Sequence, residues 1–287
     1  MDLNPQGDGC ILSVDVEDWF HILALPSTPN VSQWDTLPSH VEKDFLHLLD
    51  LFSEHRASVT CFFLGWVAER FPHLVREASQ RGHEVASHGY AHVLTYRMTP
   101  EGFYTDVCRS KDILESITEH PILGYRSPGF SATEDTPWFF AKLAEAGYRY
   151  DSSVFPAPRQ HGGMTARFDP YIVATQAGSL VEFPITVTKI LGRPLCFFGG
   201  GYLRLYPYAV THHMGQQVLR EGRPVIFYVH PREIDPYHPR LPMGPMRHFK
   251  SYVSLRTTER KLHRIINDFH ITTFERYIDD HALMGAS

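Results

Sequence analysis

The chain has 287 residues, of which 43% are hydrophobic, so it can bury a large core as one α/β domain or as two small ones. Its 27 basic and 32 acidic residues give a net charge of −5 without a lysine- or arginine-rich run, which argues against nucleic acid or an anionic membrane as a partner. No apolar run approaches a membrane span, and the polar N-terminus carries no signal-peptide pattern, so we expect a cytoplasmic protein. The four cysteines are far apart and contain no CxxC pair, which predicts reduced thiols rather than a disulfide framework.

Hydrophobic periodicity and turn residues predict alternating strands and helices. In chain order we predict a strand over 10–16, a helix over 39–55, a strand over 58–64, a helix over 66–81, a strand over 83–86, a helix over 100–119, a strand over 122–125, a helix over 136–147, strands over 148–150 and 180–183, a helix over 207–220, a strand over 224–229 and a helix over 257–268. Ser39 and Glu42 have the spacing of a capping box, and Gly82 is placed to end the second helix. This alternation predicts a mostly parallel sheet.

Polar residues follow these strands at the positions where the strands end. They are Asp15, Glu17 and Asp18 after the first strand, His88 and His92 after the third, and Arg126, Asp151 and His230 after later ones. In parallel α/β folds and barrels, the functional site lies at the carboxyl ends of the strands. The sequence therefore predicts that these clusters share one site.

The pair His88 and His92 is the most specific element of that site. Residues four apart lie on the same side of a helical turn, so both imidazoles could reach one metal ion. Two histidines hold a metal poorly, and we expect a carboxylate of the acidic cluster to complete the set. Strand alternation places Glu17 on the same side as Asp15, which favours Glu17, while Asp18 remains an alternative if the strand ends at residue 16.

The order of these motifs resembles a known family. The segments Ser-His-x-x-x-His at 87–92, Arg-Ser-Pro-Gly at 126–129, Asp-Ser-Ser at 151–153 and an apolar strand ending in His230 are similar to those of the polysaccharide deacetylases of carbohydrate esterase family 4, which have the NodB-homology fold. The resemblance runs from about residue 10 to 275. The pieces Val-Asp-Val-Glu-Asp-Trp-Phe and Tyr-Val-His-Pro-Arg-Glu-Ile-Asp resemble the subgroup of bacterial exopolysaccharide loci.

The resemblance implies a single deacetylase domain over 1–287, folded as a distorted (β/α) barrel of about seven mostly parallel strands. It implies Zn²⁺ or another divalent ion such as Co²⁺, Ni²⁺ or Mn²⁺, bound by the two motif histidines and an acidic-motif carboxylate. By the same resemblance, Asp15 is the general base, Arg126 orients that base, His230 is the general acid and Asp151 supports His230. The implied substrate is an N-acetylhexosamine-containing polysaccharide or its lipid-linked precursor.

Two other readings remain open. The first is an enzyme of the same fold that removes a formyl group or opens a ring amide, as allantoinase relatives do. The second is a carbohydrate-binding protein with a decayed site, which predicts that the base or the acid is missing. Candidates for both groups are present in Asp15 and His230.

Overall fold

The computed structural model describes residues 9–23, 25, 27–158 and 162–283. The strands are β1 Cys10–Val16, β2 Thr60–Phe63, β3 Glu84–Ser87, β4 Gly124–Tyr125, β5 Tyr150–Asp151, β6 Tyr171–Thr175, β7 Gly178–Glu182, β8 Thr188–Ile190, β9 Arg193–Leu195, β10 Val225–Val229 and β11 Ile271–Thr272. The α-helices are α1 Val31–Trp34, α2 Val41–Glu54, α3 Gly65–Arg70, α4 Pro72–Gln80, α5 Pro100–Thr118, α6 Phe139–Glu145, α7 Gly200–Leu205, α8 Tyr208–Arg220, α9 Pro245–Tyr252, α10 Thr258–Asp268 and α11 Phe274–Asp280. Short 3₁₀ turns lie at Trp19–His21, Thr95–Arg97, Pro128–Phe130, Pro231–Glu233 and Leu255–Thr257.

The main sheet runs in the order β10-β1-β2-β3-β4-β5-β7-β6, and β11 also pairs with β1. The seven strands from β10 to β7 are parallel, whereas β6 is antiparallel to β7. This confirms the predicted α/β fold with about seven mostly parallel strands. Because β1 lies between β2 and β10, the first strand occupies the middle of the sheet and its carboxyl end is surrounded by other strand ends.

The two ends of the parallel run approach each other without a continuous ladder among the described residues. The hydroxyl of Thr186, just beyond β7, donates to Pro224 O at 3.2 Å and accepts from Ile226 N at 2.8 Å. Farther along, Gly199 forms a single parallel bridge with Tyr228 of β10. The segment between β7 and α7 therefore lies beside β10, and the described strands do not close the predicted barrel by a continuous ladder.

Several predicted elements differ in their detail. The helix predicted over 66–81 is two helices, because Pro72 lacks the N–H that a continuous helix requires and begins α4 at its first position. Ser39 does not cap α2, since its hydroxyl donates to Asp18 Oδ2 at 2.5 Å. The sequence prediction also missed the β8–β9 hairpin, β6, α9 and α11, which lie in the less regular second half.

The core consists of apolar residues from both faces of the sheet. The buried strand β1 packs with the helices on one face, and β10 contributes five buried residues in a row. The cysteines are free thiols, and three of them are buried. Among the described residues, no helix combines the length and the apolar content that crossing a bilayer requires.

Candidate active site

Six of the side chains predicted from the sequence converge at the carboxyl ends of β1, β3, β4 and β10. They are Asp15, Glu17, His88, His92, Arg126 and His230. All are buried except His230, whose side chain is 15% exposed. The remaining two, Asp18 and Asp151, make different contacts.

Glu17, His88 and His92 form a group that could hold a metal ion. One ligand atom from each residue lies within 4.8 Å of the others. Glu17 Oε2 is 2.7 Å from His92 Nε2, yet this buried oxygen has no hydrogen-bond partner among the described residues. A carboxylate oxygen and an imidazole nitrogen that face each other without a hydrogen bond are arranged as two ligands of one cation are.

The protonation of this group also suits a metal. Burial lowers the pKa of His88 to about 4, so its ring is neutral near pH 7. His88 Nδ1 lies 2.8 Å from Arg126 O, a carbonyl that can only accept, so Nδ1 carries the hydrogen and Nε2 keeps a free lone pair. Burial alone would raise the pKa of Glu17, but the charges of His92 and His230 lower it well below its usual range. His88 therefore offers a neutral nitrogen and Glu17 an ionised carboxylate.

The two histidines do not lie on a helical turn, contrary to the prediction. Residues 88–94 form an irregular loop after β3, in which Gly89 has a φ of +73° and His92 a φ of +53°. Asp106 of α5 holds this loop, because its Oδ2 accepts from Tyr90 N at 2.9 Å. A side chain at Gly89 would come within 2.9 Å of the same oxygen. The loop thus brings the two rings to one point by backbone strain and an anchoring carboxylate instead of by helical periodicity.

Asp18, the alternative ligand, binds the start of α2 instead of facing the histidines. Its carboxylate accepts from Trp19 N at 2.8 Å, from Ser39 Oγ at 2.5 Å and from the backbone N–H groups of His40 and Val41 at 3.1 and 3.3 Å. These last two N–H groups belong to the N-cap residue and the first residue of α2, where the backbone donors lack an intrahelical partner. Asp18 therefore caps α2 from a distant position in sequence, and of the two acidic residues it is Glu17 that lies with His88 and His92.

Arg126 is fully buried and fixes Asp15. Its Nη1 donates to Asp15 Oδ1 at 2.7 Å and to Ser13 Oγ at 2.8 Å. On its other side, Nε and Nη2 donate to Ser152 O and Ser152 Oγ at 3.3 and 3.2 Å, and the guanidinium carbon lies 4.1 Å from the centroid of the Phe62 ring. Since Oδ1 of Asp15 is bound to Arg126, Oδ2 is the oxygen that faces His230, at 3.8 Å from Nε2.

His230 contacts carboxylates through both ring nitrogens. Nε2 lies 3.2 Å from Glu17 Oε1, and Nδ1 lies 3.4 Å from Glu233 Oε1. Burial lowers the pKa of His230, but the charges of Glu17 and Glu233 raise it more, so the net shift is upward. The predicted support from Asp151 is not what the structure shows. The sequence offered one signal for Glu233, namely its position three residues after His230 in a turn that begins with Pro231.

Asp151 is instead half of a buried carboxylate pair. It is the register partner of Glu182 on β7, and its two oxygens accept from Ser153 Oγ at 2.5 Å and Ser153 N at 3.1 Å. Glu182 Oε1 accepts from Val154 N at 3.0 Å. Burial raises the pKa of both carboxyl groups, and the neighbouring like charge raises that of Glu182 further, so this pair retains a proton near neutral pH.

A second group, His40, Asp44 and Asp235, is also compact enough for a metal ion. Here Lys43 Nζ already lies 2.7 Å from Asp235 Oδ2 and supplies the positive charge. His40 Nδ1 lies 2.9 Å from the same oxygen. These contacts join α2 to the loop that follows His230, so the group links the candidate acid to the helix capped by Asp18.

Two protein families match successive parts of the chain. Residues 31–150 match the family described as polysaccharide deacetylase, and residues 152–279 match the family described as a domain of unknown function, DUF3473. A peptidoglycan-N-acetylglucosamine deacetylase of Bacillus cereus is 29% identical over 102 residues, which are 36% of this chain and 46% of that protein. The chain therefore spans less than two thirds of this curated relative.

Solved structures show the same fold over nearly the whole chain. A Mycobacterium smegmatis protein assigned to the polysaccharide deacetylases has a TM-score of 0.63 at 20% identity, with 100% of this chain and 96% of that chain covered. Puue allantoinase has a TM-score of 0.65 at 16% identity, with the same coverage. At these identities, the likeness establishes the fold and leaves the substrate to the chemistry of the site.

Proposed function

We propose that the chain, whose residues 31–150 match the polysaccharide deacetylase family, is a metal-dependent hydrolase that removes N-acetyl groups from N-acetylhexosamine units of a glycan. The observation that carries this proposal is the convergence of Glu17, His88 and His92 beside a carboxylate, Asp15, and a second histidine, His230. Amide hydrolysis needs a water activated by a base and a proton for the departing amine, and this arrangement has a group for each. The proposal treats the whole chain as one deacetylase domain, because the two matched segments contribute strands to one sheet.

Glu17, His88 and His92 would hold the ion. One carboxylate and two imidazoles are ligands that suit Zn²⁺, and Co²⁺, Ni²⁺ or Mn²⁺ accept the same set. When bound in such a site, a divalent ion lowers the pKa of water and polarises a carbonyl oxygen. The unsatisfied Oε2 of Glu17 and the Nδ1 contact of His88 support this assignment.

The chain's own residues supply the proton transfers. Asp15 Oδ2 accepts the proton of the attacking water, while the contact with Arg126 through Oδ1 keeps that carboxylate in place. The water oxygen bonds to the acetyl carbon, and the bond between that carbon and the sugar nitrogen then breaks. His230 Nε2 donates its proton to the departing nitrogen, so that acetate and a free amino sugar are released.

The substrate is proposed to be a polysaccharide or its lipid-linked precursor of the kind made for export. Two segments support this proposal, namely the acidic motif at 14–20 and the motif at 228–235, which resemble those of exopolysaccharide loci. The alternative activities of this fold are a deformylase, whose substrate would be an N-formyl sugar, and an allantoinase-like amidohydrolase, whose substrate would be allantoin.

The experiment is acetate release from N-acetylated chitooligosaccharides by the purified chain, before and after removal of metal with a chelator. We expect release that the chelator abolishes and that Zn²⁺ or Co²⁺ restores. The variant Asp15→Asn should lower kcat on the order of 10²- to 10⁴-fold because it lacks the base, without loss of bound metal. The matched control Asp112→Asn, on the exposed face of α5, should retain activity. Turnover that survives both the chelator and Asp15→Asn would end the proposal.

A further inference from the structure

We propose that Glu233, held in place by Arg204, positions the ring of His230 for proton donation, and that Asp151 does not. The inference rests on the proposed function because it concerns the acid of the same reaction. It also gives a role to part of the segment 152–279, which matches a family of unknown function and contains Arg204, His230 and Glu233.

The geometry around Glu233 leaves it with two close cationic partners. Its Oε1 lies 3.4 Å from His230 Nδ1 and 3.3 Å from Arg204 Nε. The Glu233 side chain is 1% exposed and that of Arg204 is 2% exposed, so neither charge is compensated by water. Neither carboxylate oxygen of Glu233 has a hydrogen-bond partner among the described residues. A buried carboxylate in this position is stabilised mainly by its ion pairs, and one of these is with the candidate acid.

Arg204 is itself fixed independently of any substrate. Its Nη1 donates to Ser251 O at 2.7 Å, and its Nη2 donates to Lys250 O at 3.2 Å. Lys261 Nζ in turn donates to Arg204 O at 2.9 Å. The guanidinium is therefore anchored to α9, the main chain of Arg204 is held by Lys261 of α10, and Nε faces Glu233.

The backbone sets the distance between Glu233 and His230. His230 precedes the 3₁₀ turn Pro231–Glu233 and Glu233 is its last residue, and Glu233 N donates to His230 O at 2.9 Å. On the far side, Gly200 at the start of α7 lies against Tyr228, and a side chain on Gly199 would overlap the Tyr228 ring at 2.1 Å. The glycines thus let the start of α7, which carries Arg204, approach the end of β10, which carries His230.

This arrangement decides which nitrogen of His230 faces the reaction. With Nδ1 directed at Glu233, Nε2 points to Asp15 and Glu17, at 3.8 and 3.2 Å. A shorter carboxylate at position 233 would lengthen the contact, and an amide would remove the charge and could turn its NH₂ group towards Nδ1. Either change should disturb the ring of His230 without touching the residues that would hold the ion.

The test compares two substrates that differ in their need for an acid. The departing amine of an N-acetyl sugar must be protonated, whereas the p-nitrophenolate released from p-nitrophenyl acetate leaves without a proton. For Glu233→Gln, we expect kcat on the glycan to fall on the order of 10²-fold with KM unchanged, and hydrolysis of p-nitrophenyl acetate to stay within about twofold. Glu233→Asp, which keeps the charge, should recover part of the lost kcat.

Two controls complete the design. Glu259→Gln on α10 changes the same residue type at an exposed position and should leave both reactions unchanged. Asp151→Asn should lower both reactions to the same degree or neither, because Asp151 supports the buried pair with Glu182 and not the acid. Metal content is measured for every variant, so that loss of the ion is not mistaken for loss of the acid.

The inference is overturned if Glu233→Gln leaves glycan turnover unchanged, if it lowers both reactions equally, or if Asp151→Asn alone shows the selective loss. In these three cases, the wild-type chain still releases acetate and the proposed function stands. If the wild-type chain releases no acetate from any glycan, the proposed function fails first, and the inference about Glu233 fails with it.

Discussion

Replacement of Glu17 and of Asp18 should separate the two acidic residues that the sequence could not distinguish. The two side chains are neighbours, yet Glu17 faces His92 and Asp18 faces the start of α2. We therefore expect Glu17→Gln to remove metal binding and leave the fold intact. Asp18→Ala should destabilise the fold and leave metal binding unchanged.

The magnitude for Asp18 follows from its contacts. Removal of its carboxylate takes away the cap of α2, a 14-residue helix whose N-cap residue His40 makes no side-chain cap bond. Loss of a helix cap costs about 0.5–2 kcal/mol, and each buried donor left without an acceptor adds on the order of 1 kcal/mol or more. A total of about 2–3 kcal/mol should lower the Tm of a chain of this size by roughly 4–12 °C.

The magnitude for Glu17 concerns affinity. Loss of a residue that only supports a metal ligand costs about 10- to 100-fold in affinity, so loss of one of three direct ligands should exceed about 100-fold. The assay is calorimetric titration of the chelator-treated chain with Zn²⁺, together with thermal unfolding of the metal-free chain. The reasoning is refuted if Asp18→Ala abolishes Zn²⁺ binding while Glu17→Gln retains it.

Two further predictions concern stability. Burial lowers the pKa of His83 to about 4, below its ordinary value of 6.5. Below pH 6.5, the unfolded chain therefore binds a proton at this ring that the folded chain does not. Up to about 3 kcal/mol of stability, present above pH 6.5, is lost as the pH falls towards 4. In urea unfolding across this range, the free energy of unfolding of His83→Gln should fall less steeply with decreasing pH than that of the wild type or of the exposed control His213→Gln. Equal slopes for the three proteins would contradict the prediction. Gly124→Ala should lower the free energy of unfolding by about 1–3 kcal/mol, because an added Cβ would lie 1.9 Å from the Tyr150 ring. The control is Gly244→Ala, where an added Cβ would have nothing within 4 Å. Equal Tm values for the two variants would count against this packing.

The strands and helices that the sequence predicted well carry strong local signals. The strand predicted over 10–16 matches β1, the helix started by Thr99 and Pro100 matches α5, and the helix predicted over 207–220 matches α8 nearly to the residue. Thr99 Oγ1 does accept from Gly102 N, at 3.1 Å, as an N-cap should. In these segments, the local preference and the tertiary packing favour the same structure.

The parts that the sequence could not predict depend on contacts between distant residues. Ser39 was expected to cap α2 locally. Instead, the carboxylate of Asp18, which is distant in sequence, caps this helix and accepts a hydrogen bond from Ser39. Likewise, the spacing of His88 and His92 fits a helical turn, whereas an irregular loop held by Asp106 produces the same convergence. Spacing alone therefore identified two side chains that do lie together, but it predicted the wrong backbone conformation for them.

The position of β1 explains why the site needs both halves of the chain. β1 pairs with β2 on one side and with β10 on the other, and more than 200 residues separate its hydrogen-bonding partner Val229 from Val14. The segment that matches the deacetylase family contributes His88, His92 and Arg126, whereas His230 comes from the segment of unknown function. Asp15 and Glu17 precede both matched segments, so neither segment contains all the residues that we propose as base, metal ligands and acid. The boundary between the two families thus divides one site, and the sheet is what joins its parts.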